Sequence, residues 1–194
     1  MIKPLVIKKA GAAVIGAAAL ALFVSGCGNA DEARQKKVDA WASGVCDTLR
    51  EQLKHRDEAT ADMAEATDET EPAKAREAYV TAFDKSAKAY EAMAASFTKL
   101  GVPPVDDGKN VQSKTVAYLT DKAEAYAGLK TEAEKLDVKD QEKYAEGLRT
   151  LAGRVQKIAP EDGDLKEMSE GELEKAMGRQ DGCQRTETKP DTQA

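Results

Sequence analysis

The amino-acid sequence predicts an all-α fold, an up-down-up-down four-helix bundle followed by a short C-terminal fifth helix. Four long segments carry apolar residues every three or four positions, the spacing that places them on one face of a helix. No segment shows the alternation of apolar and polar residues that is typical of a half-buried strand. The four segments are joined by short connections, which favour antiparallel neighbours, and together these observations predict the bundle.

The first 26 residues form a separate segment with the layout of an export leader. Lys3, Lys8 and Lys9 supply a positive N-terminal region. The run Ala10–Val24 that follows has fifteen residues and no charge. A membrane-spanning helix needs about 20 apolar residues, so this run is too short to be one. Its length and its positive flank are typical of a secretory signal peptide.

The end of the leader resembles the lipobox of bacterial lipoproteins, a short motif that closes on a cysteine. This chain has Val24-Ser25-Gly26-Cys27, with Val in the usual Leu place. The resemblance implies that residues 1–26 are a lipoprotein signal peptide, that Cys27 receives a diacylglyceryl group, and that cleavage makes Cys27 the mature N-terminus. Two acyl chains anchor a protein stably, whereas one holds it only marginally. The alternative is an ordinary secreted protein with a coincidental cysteine at the cleavage site.

Removal of the leader leaves 168 residues, enough for one domain of ordinary size. It also takes away three lysines and no acid, so the formal charge changes from −6 to −9. A surface this acidic repels phosphate backbones and anionic headgroups, which argues against nucleic-acid binding. Attachment to a lipid bilayer is therefore expected to depend on the acylated Cys27 rather than on a basic patch.

The mature chain is predicted to open with a short tether at residues 27–32, followed by the bundle domain at residues 33–185. The first helix is expected to reach about Ala66, because the segment is rich in Ala, Glu, Lys and Leu. Its apolar stripe comprises Val38, Ala42, Val45, Leu49, Leu53 and Met63, with Trp41 and Cys46 beside it. Past Leu53 the stripe thins and acids accumulate, so we expect that end of the helix to be solvated.

The second helix is predicted to restart at Thr70-Glu71-Pro72, with Thr70 as the N-cap and Pro72 in the first turn. It has the clearest pattern in the chain, with positions spaced alternately by four and three residues: Tyr79, Phe83, Ser86, Tyr90, Met93, Phe97 and Leu100. Such a seam indicates a helix packed inside a bundle. Gly101 and the prolines Pro103 and Pro104 are predicted to end it.

The third and fourth helices are predicted from the same periodicity. Asp106-Asp107-Gly108 turns the chain into a helix from about Lys109 to Leu136, and either Asp137 or Asp140 caps the next helix. Pro160 is predicted to end that fourth helix. The two apolar faces comprise Val116, Leu119, Ala123, Tyr126, Leu129, Ala133 and Leu136, and then Tyr144, Leu148, Leu151, Val155 and Ile158.

The C-terminal part is predicted to form a short fifth helix and a tail. Ser169-Glu170-Gly171-Glu172 has the pattern of a capping box. The helix that it opens contains Leu173, Ala176 and Met177 and finishes near Gly182-Cys183. Residues 186–194 are predicted to be a disordered tail, since they contain no apolar residue large enough to pack.

The cysteines predict one disulfide. With Cys27 lipidated, Cys46 and Cys183 remain as an even pair in an oxidising compartment. Cys46 lies early in the first helix, and an even number of long helices returns the chain to that end of the bundle, so Cys183 is expected nearby. Two free thiols are the alternative. A redox-catalytic pair is disfavoured because the sequence has no Cys-x-x-Cys motif.

Two groups of residues suggest a metal site, and neither has the required pattern. Glu51 and Glu58 flank the only histidine, His55, at i−4 and i+3, whereas di-iron bundles need two Glu-x-x-His sets and further glutamates. The acids between residues 57 and 71 lack the spacing of a calcium loop, as do Asp106-Asp107-Gly108 and Asp162-Gly163-Asp164. A solvated surface is the preferred interpretation of both groups, and no metal and no other cofactor is predicted.

The aromatic residues on the apolar stripes have two interpretations, as core or as the lining of a ligand groove between helices. They are Tyr79, Tyr90, Tyr126 and Tyr144. Core is preferred because the facing residues are mostly Ala and Leu, which pack closely. Trp41 is likewise assigned to the core rather than to a membrane interface. The chain has no Gly-x-Ser-x-Gly, no Ser-x-x-Lys and no phosphate-cradling loop, so no enzyme is predicted.

Together, the lipobox at Cys27, the segment Trp41-Ala-Ser-Gly-Val-Cys46 and the late Cys183 resemble small exported lipoproteins of actinobacteria. The resemblance implies a helical fold on the outer face of the plasma membrane and transfers no active site. We therefore expect a membrane-anchored extracytoplasmic lipoprotein that acts as a non-enzymatic binding or scaffolding module for an envelope protein partner.

A small-ligand or metal carrier that uses the bundle interior is the alternative function, and a cell-wall enzyme is a third. A carrier predicts a cavity of several hundred Å³. A tightly filled core with an exposed apolar patch would favour protein partners instead. An enzyme predicts a carboxylate with a strongly shifted pKa in a cleft.

Overall fold

The computed structural model describes residues 27–158, 168 and 170–184, and these residues form helices and turns but no β-strand. The helices in chain order are α1 (Cys27–Asp68), α2 (Pro72–Leu100), α3 (Gly108–Glu134), α4 (Gln141–Ile158) and α5 (Gly171–Gly178). A short 3₁₀ turn at Asp181–Cys183 follows α5. The prediction of an all-α fold, a four-helix bundle with a short fifth helix, is therefore confirmed.

The first helix begins earlier than predicted. α1 starts at Cys27, so residues 27–32, which were predicted to be a tether, form its first turns. Most residues from Ala30 onward are strong helix formers. In addition, Lys36 Nζ lies 2.8 Å from Glu32 Oε1, an i,i+4 pair that supports the helix. The segment therefore continues into the bundle without an interruption.

α2 begins at Pro72, and its N-cap is Glu71 rather than the predicted Thr70. A proline suits the first helical position and pushes the residue before it out of the helical conformation, and Glu71 accordingly has φ −90° and ψ 110°. The backbone N–H of Glu71 donates to the Glu69 carboxylate at 2.8 Å. At the other end, Gly101 has φ 75° and its N–H donates to the Phe97 carbonyl, which confirms the predicted stop.

The connection between α2 and α3 is tight. Gly108 is buried, and a Cβ at this position would lie 2.0 Å from the Pro103 carbonyl oxygen, so only glycine allows the two backbones to approach. The indole Nε1 of Trp41 donates to the Gly101 carbonyl at 3.0 Å. This hydrogen bond ties the connection to α1 and places Trp41 in the core, as predicted.

The cap of α4 is Asp140. Its Oδ1 accepts hydrogen bonds from the backbone N–H groups of Glu142 and Lys143, both at 3.1 Å. These bonds lower the pKa of Asp140, because they favour the ionised carboxylate. The other predicted cap, Asp137, instead accepts from the N–H of Lys139 inside the turn. The structure thereby decides between the two predicted caps.

α2 lies at the centre of the bundle, between α1 and α3. Two segments together take the place of the fourth helix of the bundle. α4 packs against α3, whereas α5 and the 3₁₀ turn pack against α1. The buried side chains accordingly form two clusters. The α5-end core comprises Val38, Trp41, Ala42, Val45, Tyr90, Met93, Ala94, Phe97, Val111, Leu119, Met168, Leu173 and Ala176. The α4-end core comprises Phe83, Leu129, Ala133, Leu136 and Leu151.

Charged pairs hold α5 against α1. The N-cap of α5 is Glu170, which forms no side-chain cap bond, so the predicted capping box is wrong in register. Glu172, its predicted acidic member, instead accepts from Arg34 Nη2 at 3.0 Å. Arg179 Nη2 donates to Asp39 Oδ1 at 2.6 Å, and this bond lowers the pKa of Asp39. These contacts orient the short helix along the first third of α1.

Several features predicted from the sequence lie outside the described residues. These are the leader at residues 1–26, Pro160 at the end of the fourth helix, the turn Asp162-Gly163-Asp164, Ser169 at the start of the capping box, and the tail at residues 186–194.

Candidate ligand groove

The two predicted disulfide partners lie at one end of the bundle. Cys46 and Cys183 are joined by a disulfide with their Cα atoms 4.8 Å apart, across a sequence separation of 137 residues. Gly182 allows this approach, because a Cβ there would lie 3.1 Å from the Cys46 carbonyl carbon and oxygen. Cys27, the predicted lipidation site, is the first residue of α1, and its side chain is outside the described part of the structure.

The predicted metal candidates lie on exposed surface. His55 Nδ1 is 3.4 Å from Glu58 Oε2, and both side chains are about half exposed. Glu51, the third member of that set, is exposed as well. Within the described ranges, no three His, Cys, Asp or Glu side chains are grouped so that they could hold a metal ion.

The stripe tyrosines divide between the core and a groove. Tyr90 is buried in the α5-end core, and its ring stacks on that of Tyr126 with centroids 5.5 Å apart. Burial and the nearby Tyr90 raise the pKa of Tyr126. Tyr79 stacks on Phe83 at 6.2 Å, and both line a groove on the side of the bundle. The interpretation as core is therefore correct for Tyr90, whereas Tyr79 is partly buried against the α4-end core and also lines the groove.

The groove runs between α4 and the facing parts of α1 and α2, and its volume is about 530 Å³. Apolar side chains form most of its wall: Met63, Phe83, Leu148, Leu151, Ala152 and Val155. The polar residues in the wall are Thr67, Tyr79, Arg149 and Gln156. Such a volume lies in the range of roughly 300–1,000 Å³ that is typical of small-molecule sites.

The groove exists because α4 packs against α3 and stands away from α1. Leu151 is the buried residue of α4, whereas Tyr144, Leu148 and Val155 are only half-buried, although all four lie on its apolar face. The facing stretch of α1 offers Met63 as its large apolar side chain, so the apolar face of α4 is incompletely covered on this side. An open apolar channel results.

Two contacts fix α4 in this position against α3. Arg154 forms an ion pair with Glu132 across the two helices. Lys122 Nζ donates to the carbonyl of Ile158, the last residue of α4, at 2.8 Å. Both contacts lie on the α3 side, so they hold the helix without closing the groove.

Two hydroxyl groups of the groove wall, those of Thr67 and Tyr79, are close together. The Thr67 hydroxyl lies 3.1 Å from the Tyr79 hydroxyl and donates to the Met63 carbonyl at 2.9 Å. The Tyr144 hydroxyl is buried and has no hydrogen-bond partner among the described residues. Burial and the neighbouring Tyr79 raise the pKa of Tyr144, against the smaller opposing effect of the Arg76 guanidinium.

A second depression, between α1 and α2, has the opposite character. Its volume is about 330 Å³, and charged side chains dominate its wall: Asp62, Glu65, Glu69, Lys74, Glu77 and Lys85. Its lysines are paired, Lys85 with Asp62 at 2.5 Å and Lys74 with Glu71 at 2.6 Å. The hydrogen bond from Lys85 to Asp62 raises the pKa of the lysine. This surface is the solvated acidic end of α1 that the sequence predicts.

Comparison with known proteins adds no family assignment. No protein-family model, no curated protein and no solved structure matches this chain. Among the described helices, none is long and apolar enough to cross a membrane.

The sequence analysis gives a groove between helices only as the second interpretation of the stripe tyrosines and does not place it, although two patterns in the sequence indicate where it lies. The stripe of α1 thins after Leu53, while the face of α4 keeps large apolar residues up to Ile158. A helix with a full apolar face that meets a helix with a thin one leaves apolar surface uncovered. Arg149 and Gln156 give no signal by themselves, because polar residues are expected on a half-exposed helix.

Proposed function

We propose that this chain is a membrane-anchored extracytoplasmic lipoprotein that acts as a non-enzymatic binding module. The positive leader, its short apolar run and the lipobox ending at Cys27 support export and anchoring. The Cys46–Cys183 disulfide suits an oxidising compartment, where such bonds form and persist. Binding is assigned to the groove between α4 and the α1–α2 pair.

The single observation that carries the binding role is the apolar groove of about 530 Å³. It favours the small-ligand alternative over a scaffold for a protein partner. A protein-docking surface needs a contiguous exposed apolar patch. Among the described residues the exposed large apolar side chains are Leu53, in the middle of α1, and Val102, in the α2–α3 connection.

The chemistry of the groove wall supports binding rather than catalysis. It presents hydroxyls, one guanidinium and one carboxamide beside the apolar side chains, and these groups form no nucleophile–base pair. Outside the groove wall, hydrogen bonds favour the ionised form of four carboxylates and lower their pKa: Asp39, Glu69, Asp84 and Asp140. A general acid would need the opposite shift.

Replacing Cys27 by Ala is expected to abolish membrane attachment. In this proposal the Cys27 thiol carries the diacylglyceryl group that anchors the protein, and the net negative charge of the domain disfavours adsorption to anionic headgroups. Metabolic labelling with a fatty-acid analogue, followed by membrane fractionation, measures the effect. Cys27→Ala should lose the label and leave the membrane fraction, whereas the control Glu32→Ala should keep both. An intact label in Cys27→Ala would refute the anchor.

Filling the groove is expected to abolish binding of an apolar probe. The neutral fluorescent probe N-phenylnaphthylamine becomes bright in apolar sites and carries no charge that would bias the result. Ala152 lines the groove on an exposed part of α4, so Ala152→Trp occupies the groove without disturbing the core. The matched control is Ala145→Trp, on an exposed position of α4 outside the groove. Equal probe fluorescence in the two variants would contradict the proposal.

A further inference from the structure

We propose that the groove binds a single-chain anionic amphiphile, whose apolar chain lies along α4 and whose carboxylate or phosphate pairs with Arg149. This inference rests on the proposed function and adds the chemical class of the ligand. Two observations carry it: the composition of the groove wall, and an arginine in that wall without a counter-ion among the described residues.

The apolar part of the wall sets the shape of the ligand. Six of the ten side chains that line the groove are apolar, and they run along α4 and the facing parts of α1 and α2. The volume of about 530 Å³ lies in the lower half of the range for small-molecule sites, roughly 300–1,000 Å³. The space therefore suits one elongated apolar chain better than a lipid with several chains.

The positive charge of Arg149 in the groove wall favours a ligand with a negatively charged headgroup. Arg149 is the only charged residue in the wall, and it forms no ion pair and no hydrogen bond with any residue that the structure describes. A guanidinium with free donors recognises carboxylates and phosphates with two parallel hydrogen bonds.

Two polar side chains of α4, Arg149 and Gln156, place the headgroup at the solvent-facing edge of the groove. Arg149, Ala152 and Gln156 follow one another at i, i+3 and i+7, so they lie in one row along the helix. Leu148, Leu151 and Val155 form the adjacent row, which faces the α4-end core. A ligand that lies between the two rows meets apolar surface on one side and the Arg149 guanidinium on the other.

Competition against N-phenylnaphthylamine tests the headgroup. The competitors share a sixteen-carbon chain and differ in charge: hexadecanoate, hexadecyl phosphate, hexadecanol and hexadecyltrimethylammonium. In the wild type, at least one anionic competitor is expected to bind about tenfold tighter than the alcohol, the size of one charge-assisted pair. The two anions distinguish a carboxylate ligand from a phosphate ligand.

Charge reversal at the rim tests the role of Arg149. Arg149→Glu is expected to remove the preference for the anion over hexadecanol, whereas Arg149→Lys, which keeps the charge but not the bidentate fork, keeps part of that preference. The matched control is Lys157→Glu, an equal charge change at an exposed position of α4 outside the groove wall. Because Arg149 and Lys157 are both exposed, circular dichroism should show the same helix content in all variants.

The possible failures are distinguishable. If Ala152→Trp blocks the probe but anion and alcohol compete equally in the wild type, the groove binds ligands and the anionic class is wrong. The same conclusion follows if Arg149→Glu and Lys157→Glu weaken anion binding equally. If none of the sixteen-carbon compounds displaces a probe that Ala152→Trp excludes, the elongated-chain shape is wrong. If Ala152→Trp leaves probe binding intact, the proposed function itself fails.

Discussion

Removal of the Cys46–Cys183 disulfide is expected to lower the free energy of unfolding by about 2–5 kcal/mol. The bond closes a separation of 137 residues, so it restricts the unfolded chain over most of the mature sequence. It also ties the 3₁₀ turn, and α5 before it, to the middle of α1. Cys46 is fully buried, so its replacement additionally loses packing inside the α5 end of the bundle.

Urea unfolding of the Cys46→Ala/Cys183→Ala double variant measures this loss, since replacing both members of the pair leaves neither with a free thiol. Reductant should lower the urea midpoint of the wild type toward that of the double variant, and it should leave the double variant unchanged. A double variant as stable as the oxidised wild type would show that the bond adds nothing to folding.

Phe97→Ala is expected to cost about 3–5 kcal/mol, the range for truncating a buried aromatic residue. The Phe97 side chain is 2% exposed, and its ring meets the Trp41 ring edge-on with centroids 6.0 Å apart. The backbone carbonyl of Phe97 keeps its hydrogen bonds from Gly101 and Gln112, so the loss comes from packing alone.

Leu53→Ala is the control for Phe97→Ala. Leu53 is also a large apolar residue on a long helix, but it is 44% exposed, so its truncation should change the urea midpoint little. If the two variants unfold at the same midpoint, the α5-end core is not the packed cluster that its burial indicates. Wild-type helix content in both variants before unfolding would confirm that the comparison concerns stability.

The parts of the fold that sequence could predict are those set by local chemistry. The four-three spacing of large side chains from Tyr79 to Leu100 requires a helix with one buried face, and α2 has that face at the bundle centre. The stop at Gly101, which has φ 75°, is also local, and so is an aspartate cap for α4, although the sequence left Asp137 and Asp140 as alternatives. These predictions needed no knowledge of neighbouring helices.

The parts that sequence missed depend on which surfaces meet. Periodicity identifies the apolar face of α4, but the choice of α3 over α1 as its neighbour is decided by tertiary contacts such as the pair of Arg154 with Glu132. The groove, and with it the role of Arg149, follows from that choice. At the N-terminus, residues 27–32 are helical rather than the predicted tether, because the strong helix formers from Ala30 onward extend α1.

The unbroken course of α1 has a consequence for where ligand exchange takes place. Met63, in the groove wall, lies about 54 Å along the helix axis from Cys27. With Cys27 acylated, as proposed, a molecule embedded in the same bilayer cannot touch the groove while its tail stays in the hydrocarbon, unless the bundle lies down on the membrane. If the protein stands upright, the groove instead stays well above the lipid headgroups while the anchor diffuses in the bilayer. The ligand would then enter and leave the groove from the aqueous space outside the membrane.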